Sequence, residues 1–77
     1  MENLGKDVGN FVIEKFLPVV AREFKSVEVW KNVLRNLNNN LFQLMESTGA
    51  PMSSITYAGI NGDGEFFVDI DGCEELL

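Results

Sequence analysis

Residues 54–71 read Ser54-Ile55-Thr56-Tyr57-Ala58-Gly59-Ile60-Asn61-Gly62-Asp63-Gly64-Glu65-Phe66-Phe67-Val68-Asp69-Ile70-Asp71, two runs of alternating polarity around a glycine-rich centre. A period of two places successive side chains on opposite faces of a strand. Asn-Gly between two such runs is the strongest short-range hairpin signal. A two-residue Asn61-Gly62 turn would pair Tyr57 with Phe66 and Ile55 with Val68. A four-residue turn would shift that pairing by two, and either choice buries Ile55 and Tyr57 with Phe66, Val68 and Ile70. Phe67 then points to the other face, alongside Ala58 and Ile60. Asp71-Gly72 closes the second strand, and Cys73-Glu74-Glu75-Leu76-Leu77 follows as a tail.

Upstream of the hairpin the apolar period changes to that of a helix. Ser26 is a suitable N-cap for a helix running to about Ser47. Trp30, Val33, Leu34, Leu37, Leu41, Leu44 and Met45 fall within one arc of it, opposite Lys31, Asn32, Arg35, Asn39, Gln43 and Glu46. Thr48-Gly49-Ala50-Pro51 ends it, because glycine accepts left-handed geometry and proline blocks continuation. The run Asn38-Asn39-Asn40 is a poor helix former and reads as a solvated face.

Residues 7–24 predict an earlier helix, capped by Asp7, with Val8, Val12, Ile13, Phe16, Val19, Val20 and Phe24 as its apolar stripe. Pro18 lies inside the pattern and predicts a kink or break near Phe16-Leu17. The fold expected is therefore α+β, two helices followed by a two-stranded antiparallel hairpin, in one small domain over residues 1–77.

Charge is unevenly distributed. Residues 1–50 hold equal numbers of basic and acidic side chains. Residues 51–77 hold Asp63, Glu65, Asp69, Asp71, Glu74 and Glu75 and no basic residue, so the whole net charge of −6 belongs there. Such a surface repels nucleic acid and anionic lipid and favours a basic protein partner. There is no histidine and one cysteine, which removes the commonest zinc ligand and any internal disulfide. Asn61-Gly62-Asp63-Gly64-Glu65 shares part of a calcium-loop pattern, but Gly59 and Ile70 occupy two principal ligand positions. Asp69 and Asp71 share a strand face without a pocket to shift either pKa, and Cys73 has acidic neighbours and no activating histidine. No metal, cofactor or catalysis is expected. Met1-Glu2-Asn3-Leu4-Gly5 lacks the basic region of a secretory leader, no apolar run reaches membrane-spanning length, and the unpaired cysteine points to a reducing cytoplasm.

Phe11 and Phe42 fall off the centre of their helix stripes, and Phe67 and Ile60 occupy the sheet face turned from the helices. These four are the expected partner-binding residues, since exposed aromatic clusters serve as interface anchors. A chain of 77 residues buries a marginal core, which favours association. The function expected is a non-catalytic protein-interaction module, a homodimer that docks or regulates a larger cytoplasmic protein. The alternative is a small acidic inhibitor of the phage-encoded kind, imitating nucleic acid to block the basic channel of a host protein.

Overall fold

The computed structural model describes residues 4–77, so the expectation for Met1–Asn3 lies outside the described residues. Helical structure runs without interruption from α1 (Leu4–Phe11) through a π-helical turn (Val12–Phe16) into α2 (Leu17–Glu23). Asp7 consequently sits inside the first helix and is not its cap. Pro18 neither breaks nor ends the rod. It lies in the first turn of α2, directly after the π turn. A proline ring clashes with the carbonyl four residues before it, and a widened turn relieves that clash.

The π turn also aligns the stripe. Val8, Val12, Phe16 and Val20 are buried at a strict spacing of four. In a regular helix each four-residue step over-rotates by about 40°. The wider π turn between Val12 and Phe16 takes up part of that drift, and all four side chains reach the same core.

Helix α3 (Val27–Thr48) follows the predicted span. The Ser26 hydroxyl accepts a long 3.5 Å hydrogen bond from the Val29 N–H at its start. At its end Gly49 adopts φ 72°, the left-handed conformation in which a Cβ would be strained. Leu37, Leu41 and Met45 are buried, and Trp30, Val33, Leu34, Phe42 and Leu44 pack around them. The three asparagines continue the helix, with Asn39 and Asn40 exposed and Asn38 half-buried.

The sheet has three antiparallel strands, β1 (Ile55–Ile60), β2 (Phe66–Ile70) and β3 (Cys73–Leu76), in the order β1-β2-β3. The expected two-stranded hairpin is thus one strand short. Asp71 (φ 51°) and Gly72 (φ 88°) both take positive φ and join β2 to β3 as a two-residue hairpin turn. That conformation at both positions is what Asp-Gly favours. The segment expected as a tail is the third strand.

The first turn also departs from both expected forms. Ile60 pairs with Phe66, Asn61 N–H donates to the Glu65 carbonyl at 2.9 Å, and Gly64 N–H donates to the Asn61 carbonyl at 3.0 Å. Asn61 Oδ1 accepts from the N–H groups of Asp63 (2.9 Å) and Glu65 (3.0 Å), so the side chain holds the loop from within. Gly64 supplies the left-handed position at φ 81°. The resulting register puts Ala58 opposite Val68 and Ile60 opposite Phe66 on the core side. A bulge between Ile55 and Tyr57 then restores Ile55 to that side, opposite Ile70. Tyr57 therefore faces away from the core, and Ile60 faces it, the reverse of the sequence expectation. Phe16 joins the layers: its ring meets Phe66 edge-on at 5.7 Å and Phe11 at 6.4 Å.

Candidate interaction surface

The helices cover one face of the sheet. The other face is built from two cross-strand rows, Tyr57–Asp69–Glu74 and Gly59–Phe67–Leu76. Gly59 has no side chain, and the Phe67 ring leans into that space. A Cβ on Gly59 would lie 3.4 Å from Phe67 Cε1. Tyr57 closes over the same ring edge-on, with centroids 5.8 Å apart. Phe67 is left only 9% exposed, although no helix covers it. Tyr57 (48%) and Leu76 (56%) are the apolar groups this face presents to solvent.

Asp69 lies at the centre of the face, 6% exposed. Its Oδ1 accepts from Thr56 Oγ1 at 2.7 Å and from the Gly72 N–H at 3.0 Å. One carboxylate thus ties the β1 bulge to the β2–β3 turn. Charge-assisted bonds of this kind are among the stronger ones in proteins. Partial desolvation and the charges of Asp69 and Glu74 raise the Tyr57 phenol above its ordinary 10.0.

The six carboxylates expected to form one acidic surface do not lie together. Asp63 and Glu65 sit at the β1–β2 turn and Asp71 at the opposite end of the sheet. Glu74 is exposed on the outer face, whereas Glu75 opposite Val68 is on the core side and half-buried. Asp69 is consumed by internal hydrogen bonds. Among the described residues no group of three His, Cys, Asp or Glu side chains is placed to hold a metal ion. Among the described residues no helix is long and apolar enough to cross a membrane.

Phe11 and Phe42 are half-buried and pack against the core, and Ile60 is half-buried at the end of β1, opposite Phe66. The four expected partner-binding residues are therefore distributed among core, core rim and outer face. The residues that sequence reasoning missed are Tyr57 and Leu76. Reading Asp71-Gly72 as a hairpin turn would have placed Leu76 beside Phe67.

A concavity of about 350 Å³ lies between α1 and α3, lined by Gly5, Gly9, Val12, Ile13, Leu34 and Asn38 with Lys31 and Arg35 at its side. A smaller one, of about 210 Å³, lies between α3 and the sheet at Phe66 and Leu77. The fold and its open sheet face define a small α+β module with an aromatic, acidic surface. No protein-family model, curated protein or solved structure matches the chain.

Proposed function

We propose that this chain is a non-catalytic protein-interaction module that forms a homodimer through the open face of its sheet and docks a larger, basic protein. The observation that carries the reading is the pair Tyr57 and Leu76, half-exposed on a helix-free face with no basic residue on any of its strands. Aromatic and aliphatic anchors above a rigid, hydrogen-bonded base are the usual energetic centre of an interface. Phe67 and Asp69 supply that base, so the anchors are held in place before a partner arrives. The exposed Cys73 thiol fits a reducing, cytoplasmic setting.

Light scattering tests the homodimer. The wild-type chain should give twice its 8.6 kDa mass, and Tyr57→Ser with Leu76→Ser should return it to the monomer while circular dichroism stays unchanged. A wild-type mass of 8.6 kDa at every concentration refutes the homodimer. The acidic-inhibitor reading is favoured by one observation, the exposure of Asp63, Glu65, Asp71 and Glu74. Their placement at both ends of the sheet, rather than in a single row, weighs against a phosphate-backbone mimic.

A further inference from the structure

The geometry points to the outer edge of β1 as the seat of the basic partner, which adds a short extended segment there as a fourth strand. The inference rests on the reading that a basic protein docks this chain, and it leaves the open sheet face to the second copy. Among the described residues β1 pairs with β2 alone, so its other side is an open edge. The ladder fixes what that edge presents. Asn61 N–H donates to the Glu65 carbonyl and the Ser54 carbonyl accepts from Asp71 N–H, so both point toward β2. Backbone direction alternates along an antiparallel strand. The N–H and C=O groups of Ala58 and Ile60 therefore point outward. No turn or further strand among the described residues pairs with them. Open backbone donors and acceptors in a row are a template for one more strand.

Length and charge select the occupant. The bulge at Thr56 limits the regular stretch to Tyr57–Ile60. The added segment is therefore short, about four residues within the ladder. Strand β1 itself carries no charged side chain, but carboxylates stand at both of its ends. Asp71 is tied through its N–H to Ser54 just before the strand, and Asp63 and Glu65 lie in the loop just after it, all three exposed. A second copy laid antiparallel along this edge would set Asp71 of one chain beside Asp63 and Glu65 of the other. Laid parallel, it would set each carboxylate beside its own copy. A segment with an uncharged centre and a lysine or arginine at each end meets opposite charge at both. Such complementarity suppresses wrong partners and fixes register. The opposite edge, β3, is four residues long and carries Glu74 and Glu75 on the strand itself, which blunts an edge.

The probe is a capped heptapeptide, Lys-Thr-Val-Thr-Val-Thr-Lys, titrated at low salt into the isotope-labelled full chain and read by amide shifts and amide hydrogen exchange. Saturable shifts at Ala58 and Ile60 are expected, with slower exchange of those two amides. The variant Asp63→Asn, Glu65→Gln, Asp71→Asn should weaken the affinity about tenfold, since the flanking charges are lost. These positions are exposed, so the fold should persist, and unchanged shifts elsewhere verify that. The same peptide N-methylated at its five central residues should bind the wild type about tenfold more weakly, because its strand donors are gone. Equal binding of the methylated peptide, an unchanged affinity in the triple variant, or no saturation overturns the edge site. Shifts centred on Tyr57, Phe67 and Leu76, without protection of Ala58 and Ile60, overturn the edge and leave docking of a basic partner standing. Equal binding of a peptide with glutamate in place of both lysines overturns that docking as well. Movement of the Ala58 and Ile60 signals on dilution of the peptide-free chain makes a second copy the occupant and overturns the proposal.

Discussion

Asp69 shows how one side chain can hold three strands in register. It reaches Thr56 on β1 and the Gly72 N–H beyond β2, and it shapes the ionisation of Tyr57. Asp69→Ala should destabilise the fold by about 1–3 kcal/mol in urea denaturation, because two donors lose their acceptor. Asp69→Asn keeps an acceptor of the same size and should cost less. Tyr57 makes a separate prediction. Its folded pKa lies above 10.0, so the neutral phenol is favoured in the native state. The associated stability is intact below pH 10.0 and is lost as pH rises through the raised value. An absorbance titration of the phenolate in Asp69→Asn should move the midpoint downward without reaching 10.0, since desolvation is the largest cause and remains. None of this was legible in the chain, where Asp69 read as one of several solvent-facing carboxylates. An alternating pattern assigns a residue to a face but says nothing of what lies across the next turn.

At the scale of elements, the helices were readable because their apolar periods are long and α3 ends on Gly49. The three-strand sheet was only half readable. Two positions explain the shortfall. The Ile55–Tyr57 bulge adds one residue to β1 and reverses the parity of everything between it and the turn, and a strictly alternating pattern cannot reveal that. The Asp71-Gly72 turn carried a readable signal, but the strand after it is four residues long and half acidic, with little β propensity. Pro18 was visible and its consequence was not, since a π turn leaves no mark in the sequence beyond a spacing of four. The turn can be tested. Gly72→Ala places a side chain at φ 88° and should cost about 1–2 kcal/mol. Amide exchange should then quicken first at β3, whose pairing with β2 depends on that turn.

For the whole molecule the sign of the salt response separates self-association from docking. Two copies carrying −6 each repel at low ionic strength. Homodimer affinity should therefore rise between 0.05 and about 0.5 M salt, where the Debye length shortens to about 4 Å. Binding to a basic partner should fall over the same range, and amide replacement of Asp63, Glu65, Asp71 and Glu74 should flatten both trends. Titration calorimetry at two salt concentrations checks this, and a homodimer weakened by salt would contradict it. Charge asymmetry was the most legible property of the chain at this scale, because it needs only a count along the sequence. Its division between the two ends of the sheet needed the register.

The irregularity at Thr56 has a consequence for how this chain avoids forming fibres. Strand β1 is an outer strand without a single charged side chain, whereas β3 carries Glu74 and Glu75. Excising Thr56 would let Ile55 and Tyr57 follow one another in regular alternation, with every other side chain on its present face. The protein would still fold, but around a straight, uncharged border able to recruit further chains in cross-β stacks. Faster thioflavin-positive growth by the deletion variant than by the parent chain would identify that extra residue as a guard against aggregation.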